Sequence, residues 1–449
     1  MEIARLVGKR WHNVPGRLKV AELFFDVPLD YSRPDAARLR LFARSVHRRP
    51  AAIENDIEEK QLPWLVYLQG GPGMACSQPQ ELSWVGLLID RGYQVLLLDQ
   101  RGTGLSSPIT AATLALQGDA FKQAEYLKLF RADNIVRDCE AIRRCLTAEY
   151  PRDRQKWSVL GQSFGGFCAV TYLSKFPEGL REVFTCGGLP PLVRSPEPVY
   201  ARTYEKVQER NKAYYSKFPE DVDRVKTILY HLEKANVTLP SGGLLTPDRF
   251  LELGIVFGMK GGLDIVHDLV LRSLNDIQTF GFLTRPTLSL IENGVSFDNN
   301  ILYAVLHEPI YCQGQSSGWT ADRLKSKFLG FRSAQNPGGS FFTGEMVYKH
   351  TFETSQELRK IKQVADIIAN VSDWPDLYDE EQLARNEVPV FSATYIDDMY
   401  VHYDLATQTA AKIKNCKHFI TNIMYHNALR ANANELIQQL LALRDDTID

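Results

Sequence analysis

A serine between two glycines is the feature of this sequence that most clearly suggests chemistry. Residues 157–167 read W-S-V-L-G-Q-S-F-G-G-F, so a strand-like run leads into Gly161, Ser163 and Gly165 and then into a helix-like segment. The pattern G-x-S-x-G at a strand-to-helix turn is typical of a nucleophilic serine, because the strained turn needs small neighbours and pushes the hydroxyl outward. The alternative is that the glycines only let a strand and a helix pack closely. The placement of the turn favours Ser163 as a nucleophile.

A nucleophilic serine needs a base, and the base needs a carboxylate that orients it. Both partners are expected after the serine, first the acid and then the histidine. A predicted strand leads into Asp397 and Asp398, either of which could supply the acid. Beyond the next predicted strand comes His426. His402 follows the acid turn too closely to reach across from another loop, and His418 falls inside a strand, so His426 is the predicted base.

Three turns that contain glycine each follow a predicted strand. They are residues 69–73 (Q-G-G-P-G), residues 99–104 (D-Q-R-G-T-G) and the serine turn. In open α/β sheets ligands bind beyond the carboxyl ends of the strands, so the three turns together predict the floor of one site. The backbone N–H groups of Gly71 and Phe164 are the predicted oxyanion hole, because glycines permit the close approach that such donors need.

The elements that must hold these turns alternate between strand and helix. Two strand-like runs within 18–46 indicate an antiparallel hairpin. The apolar runs that follow are continuous rather than alternating, which suits strands buried on both faces of a parallel sheet. They lie at 65–68, 93–98, 157–160 and 182–185.

After residue 190 the sequence becomes largely helical and rich in aromatic residues, and strand character returns at residue 388. One helix start inside this segment is clear from the capping residue Thr246. The sequence therefore predicts an α/β fold with a mostly parallel central sheet and a large helical cap inserted after the sixth strand. The predicted division is 1–190 and 388–449 for the two parts of the sheet domain and 191–387 for the cap.

The composition excludes several other classes of protein. The 449 residues carry a net charge of −2 without a basic block, so nucleic acid is not an expected partner. No apolar run is long enough for a membrane span, and the first residues lack a secretory signal, so a cytoplasmic protein without membrane association is expected. The seven cysteines are scattered without a C-x-x-C pair. They predict a reduced protein with no metal site.

The combined motifs resemble those of the proline iminopeptidase (prolyl aminopeptidase) family of α/β-hydrolase serine peptidases, in its long form with a large cap. Residues 70–73 match the family's H-G-G-P-G element, except that Gln69 replaces the histidine, and residues 99–106 match its D-Q-R-G-x-G-x-S element. The serine turn is similar, although Gln162 and Phe164 depart from the family's frequent G-G-S-W-G. The resemblance extends over most of the chain and includes two cap segments, 307–311 and 341–346.

The resemblance implies an α/β-hydrolase without a cofactor that releases an N-terminal residue, above all proline, from small peptides with a free N-terminus. The family's acid lies about 28 residues before its histidine and is usually followed by methionine, which fits Asp398 and leaves Asp397 as the fallback. Cap glutamates bind the substrate amine in this family, and the matching positions are Glu308 and Glu345. Candidates for the walls around the first substrate residue are Phe164, Trp319 and Phe341.

Three other functions remain open. One is the release of N-terminal units longer than one residue, which depends on how deeply the cap closes the pocket. An esterase or amidase of small acyl substrates would use the same serine, acid and histidine, with the cap carboxylates serving other ends. A non-catalytic protein of the same fold would bind a ligand without turnover, but the complete set of Ser163, Asp398 and His426 favours an enzyme. Nothing in the sequence indicates an oligomeric state.

Overall fold

A nine-stranded sheet forms the centre of the protein in the computed structural model, which describes residues 4–48, 61–331 and 339–446. In chain order its strands are β1 (Arg5–Val14), β2 (Leu18–Pro28), β3 (Arg38–Arg48), β4 (Trp64–Leu68), β5 (Gln94–Asp99), β6 (Trp157–Gln162), β7 (Leu180–Cys186), β8 (Val390–Tyr395) and β9 (Cys416–Thr421). Across the sheet they lie in the order β1-β2-β3-β5-β4-β6-β7-β8-β9. The pairs β1–β2, β2–β3 and β3–β5 are antiparallel, and all pairs from β5 to β9 are parallel. The predicted mostly parallel α/β sheet is confirmed.

The continuous apolar runs of the sequence are explained by burial of the parallel strands on both faces. In β4 every residue is buried; Leu65 and Tyr67 belong to the core on one face, and Val66 and Leu68 to the core on the other. Helices accompany the strands, as parallel connections require. Before the cap they span Ser83–Ile89, Ala111–Ala115, Ala120–Leu127, Ala132–Leu146 and Phe164–Lys175, and after it Tyr403–Lys412, Ala428–Ala431 and Ala433–Arg444.

The first strand, β1, is an element that the sequence analysis did not predict. It pairs with β2 alone, at the edge of the sheet, and most of its side chains are exposed. An exposed edge strand needs no apolar pattern, so the usual signal is missing. As a consequence the helical insertion follows the seventh strand in chain order and not the predicted sixth.

The insertion between β7 and β8 is helical, as predicted. Its helix Pro247–Leu251 begins at the expected cap, where the side chain of Thr246 accepts a hydrogen bond from the backbone N–H of Arg249. The division of the chain at residues 190 and 388 stays a prediction. The α-helices of the insertion span Glu197–Lys217, Asp221–Lys234, Pro247–Leu251, Gly262–Phe280, Arg285–Val295, Ile301–Leu306, Thr320–Lys325, Thr351–Thr354, Lys362–Asn370 and Glu380–Ala384.

Three of the predicted site residues follow parallel strands at the same edge of the sheet. Ser163 comes directly after β6, which lies between β4 and β7. Asp398 follows β8 and His426 follows β9. Because parallel strands end at one edge, segments that are far apart in sequence meet there.

In the described part of the chain, no helix combines the length and the apolar character needed to cross a membrane. Over the same residues, no group of three or more His, Cys, Asp or Glu side chains is arranged to hold a metal ion.

Candidate active site

Ser163 occupies a sharp turn between β6 and the helix Phe164–Lys175. Its φ is +54° and its ψ is −125°, a conformation that residues other than glycine rarely adopt. Close packing of the surrounding backbone holds it there. A Cβ on Gly165 would lie 1.9 Å from the carbonyl oxygen of Leu68, and a Cβ on Gly161 would lie 2.4 Å from the carbonyl oxygen of Gly165. The flanking glycines are therefore required because no side chain fits where strand and helix meet.

Ser163, His426 and Asp398 form one chain of hydrogen bonds. The Nε2 atom of His426 lies 2.9 Å from Ser163 Oγ, and its Nδ1 atom lies 2.7 Å from Asp398 Oδ2. The other carboxylate oxygen of Asp398 accepts hydrogen bonds from two backbone N–H groups of the following turn, at 2.8 and 3.0 Å. The structure thus places Asp398, and not Asp397, against the histidine.

The electrostatic surroundings of His426 suit a base. Burial alone lowers the pKa of His426, but the Asp398 carboxylate, through its charge and its hydrogen bond, and the charge of Glu345 together raise that pKa above its ordinary value of 6.5. These anions stabilise the imidazolium that forms when the histidine takes a proton from a serine. A histidine that readily accepts a proton is what general base catalysis requires.

The two backbone N–H groups predicted as an oxyanion hole lie beside Ser163. The turn after β4 approaches the serine closely, since a Cβ on Gly70 would lie 3.0 Å from Ser163 Cβ. Gly71 follows in this turn and lines the same cavity as the serine, and Phe164 is the first residue of the helix behind it. Among the described residues, neither the N–H of Gly71 nor that of Phe164 donates to a protein acceptor. Both are available to a substrate oxygen.

A cavity of about 420 Å³ adjoins Ser163. This volume lies in the range of small-molecule sites. The sheet domain contributes the serine, His426 and the glycine turn. The insertion contributes much of the rest, including Ile255, Val256, Met259, Phe297, Tyr303 and Glu345.

Glu345 brings a negative charge into this cavity. Its side chain is 13% exposed; Tyr303 donates a hydrogen bond of 2.7 Å to Oε1, and Nε2 of His307 lies 3.4 Å from Oε2. The other ring nitrogen of His307 lies 2.8 Å from the hydroxyl of Tyr200. Burial raises the pKa of Glu345, but His307, the charge of His426 and the Tyr303 hydrogen bond together hold it below its ordinary value. The carboxylate is therefore ionised near neutral pH.

Comparison with known proteins agrees with this geometry. Residues 63–231 match the family model described as the alpha/beta hydrolase fold. The chain is 48% identical to proline iminopeptidase aneH of Aspergillus aculeatus, over 99% of this chain and 98% of the relative. It is 40% identical to the proline iminopeptidase of Aeromonas sobria, over 94% of this chain and 96% of the relative.

The chain belongs to the proline iminopeptidase family. Both the family and the α/β-hydrolase fold predicted from the motifs are thereby confirmed, as is the prediction that the chain is an enzyme.

Glu308, one of the two glutamates that this family likeness implied for amine binding, has other contacts in the structure. One of its oxygens accepts from the backbone N–H of Thr320 at 3.0 Å and the other from that of Ala321 at 2.9 Å. The side chain is buried and does not line the cavity beside Ser163. Glu308 thus caps the helix Thr320–Lys325 and stabilises its N-terminus. Of the two glutamates, Glu345 alone lines the cavity beside Ser163. Amine binding by either glutamate stays a prediction.

The three aromatic residues predicted as walls of the cavity do not line it. The ring of Phe164 packs in the core, edge-on to Phe167, and Trp319 donates a hydrogen bond to Asp366. Phe341 faces a second cavity within the cap. Those wall predictions are wrong, because the presence of an aromatic residue in a segment does not determine whether its side chain faces the cavity or the core.

Gln69, which replaces the family's histidine, keeps its place in the turn through hydrogen bonds. Its side-chain oxygen accepts from the hydroxyl of Tyr67 at 2.9 Å, and its backbone carbonyl accepts from Gln100 at 3.0 Å. The side chain also lines the cavity. The substitution is therefore compatible with the glycine turn beside the serine.

Three residues of the site were not found from the sequence: Tyr303, His307 and Tyr400. Tyr303 and His307 are four residues apart at the end of the helix Ile301–Leu306, a spacing that places two side chains on one face. That spacing was the one feature of the sequence that could have indicated that Tyr303 and His307 act together. The ring of Tyr400 lies 4.5 Å from that of His426, between centroids, and nothing local marked it.

Proposed function

We propose that this chain is a serine aminopeptidase that releases the N-terminal residue, above all proline, from small peptides. The observation that carries this proposal is Glu345, a nearly buried and ionised carboxylate in the same cavity as Ser163 and His426. A substrate with a free N-terminus offers a cation for this anion, because an unperturbed α-amino group has a pKa of about 7.7–8.0. The curated relatives, both called proline iminopeptidases, support the same substrate class.

In the proposed reaction Ser163 Oγ attacks the first peptide carbonyl while His426 Nε2 takes its proton. The negative charge that develops on the carbonyl oxygen is stabilised by the N–H groups of Gly71 and Phe164. The C–N bond then breaks, and His426 delivers its proton to the leaving amine. Water, activated by the same histidine, hydrolyses the acyl-enzyme and frees the N-terminal residue. Asp398 keeps the ring oriented and stabilises its charged form.

Recognition of the amine would restrict cleavage to the first residue. An acetylated or extended peptide places a neutral amide where the ammonium belongs and leaves the Glu345 carboxylate without a cation. Such a substrate forfeits a hydrogen bond to a charged group, which contributes about 1.5–3 kcal/mol. This difference discriminates against internal peptide bonds.

The surroundings of Glu345 suit a proline ring. The rings of Phe297 and Tyr303 stack at 4.8 Å between centroids, and Tyr400 lines the same cavity. A pyrrolidine ring is compact and apolar apart from its nitrogen, which carries two N–H groups when protonated. One face of the substrate residue can therefore contact aromatic surface while the nitrogen pairs with Glu345.

The experiment is hydrolysis of three arylamides, those of proline, alanine and acetylproline, by the wild-type enzyme and by Ser163→Ala. We expect cleavage of the proline compound in preference to the alanine compound, no cleavage of the acetylated one, and no activity in the variant. A fluorophosphonate should label the wild-type enzyme at Ser163 and leave the variant unlabelled.

Two results would replace the proposal. Equal cleavage of acetylproline arylamide would mean that the cavity does not recognise an amine, and the enzyme would be an esterase or amidase of small acyl groups. Absence of both turnover and labelling would indicate a protein of this fold that binds without catalysis.

A further inference from the structure

The cavity beside Ser163 carries a positive side chain that the proposed mechanism does not use. Arg430 lines this cavity and, apart from His426, is the only basic residue among those that do so in the described chain. It is exposed, and its guanidinium has neither an ion pair nor a hydrogen bond to any described residue. Arginine in a functional cavity without a protein partner is suited to bind an anionic group of a ligand, since its fork matches a carboxylate.

Arg430 and Glu345 belong to different walls of the cavity. Arg430 lies in the short helix Ala428–Ala431, which follows His426 in the sheet domain. Tyr67 and Gln69 also line the cavity, and the hydroxyl of Tyr67 donates to Gln69 at the start of the glycine turn. Arg430 therefore belongs to the sheet domain, like that turn, whereas Glu345 belongs to the cap.

The cavity that contains the nucleophile Ser163 thus carries a negative charge on its cap wall and a positive charge on its sheet-domain wall. Glu81, an exposed carboxylate, also lines this cavity, but no ion pair joins it to Arg430. The amide nitrogen of Gln69 has no acceptor among the described residues and offers a second donor on the same side. A ligand with a cation at one end and an anion at the other would satisfy both walls.

We propose that Arg430 binds the C-terminal carboxylate of the leaving group, so that the preferred substrates are dipeptides and tripeptides. This inference rests on the proposed aminopeptidase function. The inference goes beyond that function because it specifies the length of the substrate and the residue that recognises the substrate's C-terminus.

The chemistry of a short peptide fits this arrangement. Its ammonium pairs with Glu345, its first carbonyl lies at Ser163, and its carboxylate follows after one or two residues, each of which spans at most about 3.6 Å. Leu82, Trp84 and Leu429 line the cavity and give apolar surface for the side chain of the leaving residue. Because Arg430 is exposed, the gain is that of a surface ion pair and falls as ionic strength rises.

The test compares proline-alanine with its C-terminal amide, on wild-type enzyme, Arg430→Gln, Arg430→Lys and Glu81→Gln. We expect the wild-type KM to be about fivefold lower for the free acid than for the amide. Arg430→Gln should raise the KM for the free acid to that of the amide, with kcat and the amide KM unchanged. Arg430→Lys should keep part of the preference, and Glu81→Gln, which removes a charge from the same cavity, should not reduce it.

The outcomes separate this inference from the proposed function. If wild-type enzyme cleaves proline arylamide but Arg430→Gln alters both dipeptide substrates equally, or neither, the carboxylate site is wrong while the aminopeptidase stands. If wild-type enzyme cleaves no substrate with a free N-terminal proline, the aminopeptidase itself is wrong. A preference for the free acid that persists at 1 M salt would also overturn an ion pair at Arg430, since such a pair is screened there.

Discussion

The Oε2 atom of Glu345 lies 3.4 Å from Nε2 of His307, and both side chains belong to the helical insertion. The nucleophile, by contrast, is on the sheet domain. His307 and Tyr303 act as positioning residues, because they hold a carboxylate charged inside a cavity where burial alone would favour its neutral form. The arrangement fixes an anion in the cavity that the reacting serine also lines.

Replacing Glu345 should separate amine recognition from catalysis. We expect Glu345→Gln to lower kcat/KM for proline arylamide about 10- to 100-fold, which corresponds to losing one charge-assisted hydrogen bond. Hydrolysis of a neutral aryl ester should change less than threefold. Steady-state kinetics on both substrates measure this, with Glu81→Gln as the control for removing a cavity carboxylate. Equal losses on both substrates would mean that Glu345 serves the catalytic machinery and does not bind the amine.

The pH dependence of ester hydrolysis should report on the pair of Glu345 and His426. A base must be neutral, so activity rises with pH as His426 loses its proton, around a pKa above 6.5. Glu345 is one of the groups that raise this pKa, and Glu345→Gln should therefore move the acid limb to lower pH. A neutral ester is the substrate to use, because its own charge does not titrate. If the acid limb of the pH profile stays in place or moves to higher pH, Glu345 does not raise the pKa of His426.

The two neighbouring aspartates should differ sharply in effect. Asp398 accepts the hydrogen bond of His426 and is buried, whereas Asp397 has neither a hydrogen bond nor an ion pair with the histidine. We expect Asp398→Asn to lower kcat by about 10⁴, as removal of a triad carboxylate does elsewhere. Asp397→Asn is the matched control and should change kcat less than threefold. The rate of labelling by a fluorophosphonate gives a second readout. A larger loss of kcat in Asp397→Asn than in Asp398→Asn would identify Asp397 as the acid.

Glu308 should matter for stability and not for substrate choice. It caps a helix through two backbone N–H groups, so Glu308→Gln removes a charged acceptor from a buried site. We expect a loss of about 1–3 kcal/mol in the free energy of unfolding, measured by urea denaturation. The kcat/KM for proline arylamide should stay within twofold of wild type, and acetylproline arylamide should remain uncleaved. A tenfold or larger fall in kcat/KM for proline arylamide, in a variant that is still folded, would return Glu308 to the amine site.

Local features of the sequence were sufficient for a large part of this description. The serine turn, the glycine turns and the return of strand character near residue 388 are short-range signals, because each depends on the conformations that a few neighbouring residues allow. These signals were enough to indicate the fold, the family and the residues Ser163 and His426. The exposed strand β1 was missed because an edge strand can form without an apolar pattern.

The choice among equivalent side chains was decided by tertiary packing. The family resemblance implied the same role for Glu308 and Glu345, and only the packing of the cap places Glu345 at the cavity and Glu308 at a helix end. The partners of the site are distant in the chain: Tyr303 and Glu345 are separated by 42 positions, and Ser163 and His426 by 263. A contact of this kind depends on how whole elements pack against one another, so a pattern read along one segment can name the candidates but cannot say which of them will meet.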